Sequence, residues 1–204
     1  MKGVKEVKTH TGTEPRMSHD TEVLMAGFGG QGMLLAGKVL AQASMDLGKS
    51  VSWLPSYGPE MRGGTANVIV CIASKPIGSP LIESPRGLVV MNLPSLEKFA
   101  PKVRAGGVIV INQSLIDKDP ARDDCLVIRV PARELAQDAG APRAANFVML
   151  GAYAGATDVV PAEAIERAIA EEFTGDKTRF VAPSIAAFRA GLEAGRRAPA
   201  LMRS

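Results

Sequence analysis

A glycine-rich turn with the sequence GFGGQG limits the folds open to this chain. It follows an apolar run, residues 23–27, that predicts a short strand, and it opens a helical pattern, residues 32–47, with apolar side chains on one stripe. The turn matches G-x-G-x-x-G, whose glycines permit a tight turn, backbone approach to a phosphate and close packing of helix on strand. Its context predicts a Rossmann-like unit. The candidate cofactor-binding residues are Gly27, Gly29, Gly30, Gln31 and Gly32.

The rest of the chain repeats this alternation of strand and helix patterns. Residues 88–91 and 108–111 are continuous apolar runs, typical of strands buried on both faces, and residues 125–130 predict another strand. Two amphipathic helices are predicted at 161–173 and 183–195. The pattern predicts an α/β fold: a doubly wound, mainly parallel sheet with helices on both faces.

Ligands of such sheets gather at the carboxyl ends of the strands. The loops that follow Gly27, Leu54, Met91 and Ile111 are therefore expected to form one functional edge.

The first residues of the chain differ from the rest in composition. Residues 1–21 lack apolar periodicity and hold both histidines, so they predict a flexible tail, with a single domain over residues 22–204. A metal site built from His10 and His19 is the alternative to a solvated tail. The sequence leaves open whether Met1 or Met17 is the true start.

Composition excludes several classes of function. The formal net charge is only +3 and no basic run is interleaved with aromatic residues, which argues against nucleic-acid binding. No apolar run approaches the roughly 20 residues that cross a bilayer, and no secretory pattern is present. Cys71 and Cys125 are expected to be buried thiols in a reducing compartment, so the protein is predicted to be cytoplasmic.

The chain also lacks a catalytic constellation of its own. Two cysteines cannot hold a four-cysteine iron–sulfur cluster. Neither histidine falls in the predicted domain, which argues against a Ser-His-Asp or Cys-His mechanism. We therefore expect no catalytic residue and no metal ligand in this chain.

The stretch PSYGPEMRGGTAN, residues 55–67, is far richer than a turn requires. The planar fork of Arg62 suits a carboxylate or phosphate, and Gly63 and Gly64 let the backbone approach whatever Arg62 touches. These three residues are candidate cofactor contacts. An internal salt bridge between Glu60 and Arg62 is the structural alternative. The candidates for an interface or ligand contact are Ser56, Tyr57, Glu60, Asn67 and Asn146, although Asn and Ser at such positions are also common turn formers and caps.

One element of a dinucleotide site is missing. Such sites place an acidic residue about 20 positions after the glycines to bind the ribose, whereas this chain has Ser-Trp-Leu-Pro at residues 52–55. The absence argues against an NAD(P) dehydrogenase. It leaves two interpretations of the glycines: a phosphate contact, or only the sharp turn from strand to helix.

Several separated motifs together resemble the gamma subunit of 2-oxoacid:ferredoxin oxidoreductases. The resemblance covers residues 22–173 and is closer to the 2-oxoglutarate and branched-chain (ketoisovalerate) enzymes than to the pyruvate enzyme. The motifs are GFGGQG (27–32), WLPSYGPEMRGGTANVIV (53–70), IGSP (77–80), MNLPSLEKF (91–99), NQSLI (112–116) and NFVMLGA (146–152).

The resemblance implies a multi-subunit enzyme that oxidatively decarboxylates a 2-oxoacid to an acyl-CoA and passes electrons to ferredoxin. Thiamine diphosphate and Mg²⁺ would lie between the alpha and beta subunits, and the 4Fe–4S clusters on a beta or ferredoxin-like delta subunit. This chain would close the site near coenzyme A. In isolation it would be inactive and could form a homodimer. The alternatives are an indolepyruvate oxidoreductase small subunit, a stand-alone nucleotide-binding oxidoreductase and a purely structural docking module.

Overall fold

The computed structural model describes residues 20–57, 65–79 and 82–201. The strands are β1 (Thr21–Phe28), β2 (Ser50–Tyr57), β3 (Thr65–Ala73), β4 (Gly87–Val90), β5 (Val108–Asn112) and β6 (Leu126–Val130). The helices are α1 (Met33–Met45), α2 (Leu93–Phe99), α3 (Ala132–Asp138), α4 (Ala145–Thr157), α5 (Ala162–Glu172) and α6 (Val181–Leu201). Two 3-10 turns, Ala100–Lys102 and Gly175–Phe180, follow α2 and α5.

The strands form one sheet in the order β2-β3-β1-β4-β5-β6. β1, β4, β5 and β6 pair in parallel, whereas β3 pairs antiparallel with both β1 and β2. β3 is thus the one strand of this sheet that runs against the other five. The predicted mainly parallel α/β sheet is confirmed, with β3 inserted between β1 and β2.

Alternation along β1 divides the core into two layers. Val23 and Met25 face the larger apolar cluster, beneath α1, α4, α5 and α6. Leu24 and Ala26 face a smaller cluster on the opposite side, where Leu96 of α2 packs. Helices therefore cover both faces of the sheet, and they do so unevenly.

Helices α4 and α6 touch backbone to backbone. A Cβ atom added at Gly151 or Gly155 of α4 would overlap a carbonyl oxygen of α6, and one added at Gly191 or Gly195 of α6 would overlap a carbonyl oxygen of α4. The glycines of both helices are four residues apart, so they lie on one face of each helix. This contact requires glycine on both sides.

Element boundaries differ from the sequence prediction most clearly at β1, at β2 and at α6, which spans Val181–Leu201 where residues 183–195 were predicted. β1 begins at Thr21, inside the segment predicted as a tail, and β2 continues through Pro55 to Tyr57, inside the predicted loop. Proline is tolerated there because β2 is the edge strand of the sheet. Residues 1–19, which include both histidines, lie outside the described residues. In the described part of the chain, no helix is long and apolar enough to span a membrane.

Candidate functional site

The strand register brings the two sequence motifs to the same edge of the sheet. Gly27 lies opposite Ala66 across the β1–β3 pair, and Tyr57 lies opposite Ala66 across the β2–β3 pair. The glycine turn after β1 therefore lies beside the start of β3, which follows residues 58–64, and two strand spacings from the end of β2, which precedes them. This edge also holds the carboxyl ends of β4, β5 and β6, because those strands run parallel to β1.

Gln31 closes the glycine turn on itself. Its backbone N–H donates to the carbonyl oxygen of Phe28 at 3.1 Å, and its side-chain Oε1 accepts from the backbone N–H of Phe28 at 2.6 Å. A Cβ atom at Gly27 would lie 2.7 Å from this Oε1 and 3.0 Å from Cβ of Met91, so the first glycine is required by close approach. The side-chain oxygen of Gln31, a residue predicted as a cofactor contact, thus accepts a hydrogen bond within the turn itself.

Asn146 joins the glycine turn to helix α4. Its side chain is 5% exposed, and its Nδ2 donates to the carbonyl oxygen of Gly32 at 3.2 Å. Gly32 has φ +76°, and a Cβ atom there would lie only 2.8 Å from Nδ2 of Asn146. The structure thus brings together two residues, 114 positions apart, that the sequence singled out separately. It shows Asn146 in an internal contact.

The amino end of α1 carries no neutralising side chain. Gly32 occupies the N-cap position, and the first turn of the helix contains no acidic residue. The backbone N–H groups of this turn keep the positive end of the helix dipole directed at the glycine turn. Gly29 and Gly30 are exposed in front of it. This geometry suits an anion supplied from outside the chain.

Ser56 and Asn67 also meet at this edge. They are directly paired across β2 and β3, so their side chains lie on the same face of the sheet. Ser56 is exposed and Asn67 is half-buried. Tyr57 is the last residue of β2. Glu60, Arg62, Gly63 and Gly64 lie outside the described residues, so their assignment as contacts stays a prediction.

Polar side chains at the neighbouring strand ends act as caps and turn formers. Oδ1 of Asn92 accepts from the backbone N–H of Ser95 at 2.8 Å, which caps α2. Oδ1 of Asn112 accepts from the backbone N–H of Ser114 at 3.1 Å. The hydroxyl of Ser114 in turn donates to the carboxylate of Glu134, and this bond lowers the pKa of that carboxyl. The two asparagine contacts are local, as Asn at strand ends commonly makes, whereas the bond from Ser114 joins the end of β5 to α3.

The topology argues against a dinucleotide at this edge. In a dinucleotide fold the ribose-binding acid ends the strand next to β1. Here β3 occupies that place, so β2 lies two strand spacings, about 10 Å, from β1. No acidic residue occurs along β2. A stand-alone NAD(P) enzyme therefore has no support from the fold.

Two further observations concern metals and thiols. Within residues 20–57, 65–79 and 82–201, no group of His, Cys, Asp and Glu side chains is arranged to hold a metal ion. Cys71 and Cys125 are buried thiols, as the sequence predicts, and burial raises the pKa of both.

One feature of this region was not predicted from the sequence. An apolar cavity bearing Arg143 and Arg179 adjoins Asn146. No local sequence pattern predicts it, because its lining residues come from separate segments of the chain.

The fold and the carboxyl edge of the sheet define a Rossmann-like α/β protein. It has a glycine turn after β1 but no ribose-binding acid along β2. The family model described as pyruvate ferredoxin/flavodoxin oxidoreductase matches residues 22–194. The chain belongs to this family.

Relatives and solved structures place the chain among the gamma subunits of the family. A 2-oxoglutarate synthase subunit KorC of Methanocaldococcus jannaschii is 34% identical over 157 residues, which is 76% of this chain and 84% of that protein. The keto/oxoacid ferredoxin oxidoreductase gamma subunit of Geobacter sulfurreducens matches with a TM-score of 0.78 and 30% identity, covering 89% of this chain and 99% of that one. The expected resemblance to gamma subunits is confirmed.

A second group of relatives is longer. The ketoisovalerate oxidoreductase subunit VorA of Methanothermobacter marburgensis is 45% identical over 132 residues, 65% of this chain. The match spans only 27% of that protein, so the chain corresponds to about a quarter of its length.

Proposed function

We propose that this chain is the gamma subunit of a thiamine-diphosphate-dependent 2-oxoacid:ferredoxin oxidoreductase. The complex oxidatively decarboxylates a 2-oxoacid, with 2-oxoglutarate favoured, to an acyl-CoA and passes the electrons to ferredoxin. The observation that carries this proposal is the match along most of the length of a 2-oxoglutarate synthase subunit. The ketoisovalerate relative has a higher sequence identity than the 2-oxoglutarate relative, but it is matched over only about a quarter of its length. We therefore make 2-oxoisovalerate the second substrate to test.

In this proposal the chain contributes binding groups, and the chemistry belongs to its partners. Alpha and beta subunits hold thiamine diphosphate and Mg²⁺, and a beta or ferredoxin-like delta subunit holds the 4Fe–4S clusters. The complex works in the cytoplasm.

The carboxyl edge is the surface that the chain presents to this complex. There the amino end of α1 lies at the same edge of the sheet as the end of β2 and the start of β3, which residues 58–64, including Arg62, connect in the sequence. Backbone N–H groups and a guanidinium are the groups that proteins commonly use to bind phosphate. We assign them to the anionic part of coenzyme A.

Reconstitution tests the proposal. The chain is co-expressed with its alpha, beta and delta partners, and reduction of ferredoxin is followed with coenzyme A and 2-oxoglutarate, 2-oxoisovalerate or pyruvate. We expect turnover only when this chain is present, fastest with 2-oxoglutarate, and none from the chain alone. Full turnover without it, or turnover by the isolated chain, would overturn the proposal; a different preferred acid would correct only the substrate.

A further inference from the structure

A cavity of about 640 Å³ opens beside the glycine turn. It lies between α1, the loop and first residues of α4, the turn Gly175–Phe180 and the start of α6. Its volume is within the range of small-molecule sites, about 300–1,000 Å³. The lining residues that matter here are Leu35, Arg143, Phe147, Phe173, Arg179 and Phe180.

Three phenylalanine rings form one wall of this cavity. Phe147 is 2% exposed and meets Phe173 edge to face, with ring centroids 6.1 Å apart. Phe173 meets Phe180 at 6.2 Å, and Phe180 is 42% exposed. The wall therefore runs from the core to solvent, and the exposed part of its outer ring can contact an apolar or aromatic body.

The rim of the cavity is positive. Arg143 and Arg179 line it together with no acidic residue, and neither arginine forms an ion pair with any described residue. The guanidinium of Arg179 lies over the ring of Phe180, 4.9 Å from its centroid. This cation–π contact holds the guanidinium near the ring, and because Arg179 is exposed its N–H donors remain accessible.

We propose that this cavity binds an organic anion: an aromatic or acyl body against the phenylalanine wall, with its carboxylate or phosphate held by Arg143 and Arg179. An apolar depression meant only to be covered by protein does not require two unpaired arginines and no acid. Asn146 lines the cavity and also binds the carbonyl oxygen of Gly32, so an occupied cavity contacts the residue that positions the glycine turn. The proposal is independent of the activity proposed above.

Phenylbutanoate, a carboxylate with an aromatic end, is the probe we choose. Its binding to the isotopically labelled full chain is followed by two-dimensional NMR, with phenylbutanol and phenylbutylamine as neutral and cationic analogues. We expect saturable shifts confined to the residues that line the cavity, and affinity for the carboxylate about tenfold above that for either analogue.

Arginine variants distinguish recognition of the carboxylate from purely apolar binding of the probe. Arg143→Gln and Arg179→Gln are each expected to weaken phenylbutanoate binding about tenfold and to leave phenylbutanol binding unchanged. Arg197→Gln, which removes an exposed arginine of α6 outside the cavity, is the matched control and is expected to change neither. Equal binding of the alcohol and the acid would show an apolar surface for a protein partner and would overturn the proposal. Absence of saturable binding at millimolar probe, or shifts elsewhere, would overturn it too.

Discussion

Gly32 is the residue on which the candidate site depends most. It adopts φ +76°, it is the N-cap residue of α1, and its carbonyl oxygen accepts both from Ala36 N–H at 3.0 Å and from Nδ2 of Asn146. A side chain there meets two obstacles, the left-handed backbone and the Asn146 amide. The sequence motif predicts a glycine at this position for packing of helix on strand, and the contact found is with α4.

Substitution of Gly32 by alanine separates these two obstacles when it is compared with Gly48→Ala. Gly48 has a similar φ, +74°, but a Cβ atom there would meet nothing within 4 Å. We expect Gly48→Ala to lower the free energy of unfolding by about 1 kcal/mol, from the backbone alone. Gly32→Ala is expected to cost at least about 1 kcal/mol more, because Asn146 must move. Urea unfolding measures both; equal losses would mean that the Asn146 contact contributes nothing.

Tyr153 is a second residue whose environment makes a measurable prediction. It is 1% exposed, and burial raises the pKa of its phenol to about 12, although a hydrogen bond with the Thr21 side chain opposes the shift. The folded state therefore disfavours the phenolate relative to the unfolded state. The stabilisation is complete below about pH 10, the ordinary pKa of tyrosine, and is lost as the pH rises towards 12.

Ultraviolet absorbance of tyrosinate follows this titration directly. The chain contains two tyrosines. We expect one to ionise only near pH 12 or together with unfolding, and we expect this late step to be absent in Tyr153→Phe. A single step near pH 10 that accounts for both tyrosines would contradict the buried position of Tyr153.

At the scale of elements, the contact between α4 and α6 has the strictest requirement. Gly191 of α6 lies against the backbone of Val148, and Gly151 of α4 lies against the backbone of Phe188. Both helices carry glycines four residues apart, and this matched spacing is visible in the sequence. It indicates close packing but does not name the partner helix, because pairing depends on how the helices lie on the sheet.

Gly191→Ala tests this contact by the sign of its effect. Helix propensity alone predicts that alanine stabilises α6 by about 1 kcal/mol. Overlap with the carbonyl oxygen of Val148 predicts the opposite, a loss of about 2 kcal/mol or more, because neither backbone can yield without separating the helices. Thermal and urea unfolding decide between them. Ala170→Ser, on the exposed face of α5, controls for an added atom and is expected to change stability by less than about 0.5 kcal/mol.

The existence of most strands and helices could be predicted from the sequence, but the direction of one strand and several side-chain contacts could not. Strands β4 and β5 follow from continuous apolar runs, β6 follows from a run interrupted only by Arg129, and α1 follows from its apolar stripe, since these patterns depend only on local burial. The direction of β3 was not predicted. Its signal is the short connection of residues 58–64, since a parallel crossover needs roughly a dozen residues or more. Two features have no local sequence pattern that would predict them, because both depend on side-chain geometry. They are the hydrogen bonds that close Gln31 onto Phe28 and the wall of phenylalanine rings that ends at Phe180.

At the scale of the whole molecule, the antiparallel β3 gives the carboxyl edge its character. It removes the neighbouring strand end from which a dinucleotide's ribose would be bound, and residues 58–64 connect it to the edge strand β2. The described residues thus form a Rossmann-like turn with no acidic residue on β2 or β3 to bind a ribose, which agrees with the function proposed above.

Arg62→Ala in the reconstituted complex tests how this loop acts. If Arg62 binds the anionic part of coenzyme A, its loss is expected to raise the KM for coenzyme A about tenfold, with little change in kcat at saturating coenzyme A. The subunits should co-purify as before, and Arg197→Ala, which removes one exposed positive charge from α6, should leave both parameters unchanged.

The pattern of failure distinguishes the other roles of Arg62. Loss of co-purification would show that the guanidinium contacts protein and would remove it from the cofactor assignment. Unchanged assembly and kinetics would favour the internal pair with Glu60, because an exposed ion pair contributes only about 0–1 kcal/mol and its loss would pass unnoticed in turnover. A rise in KM that disappears at high salt would indicate long-range attraction of the cofactor, since direct bidentate contacts are screened far less than attraction across solvent.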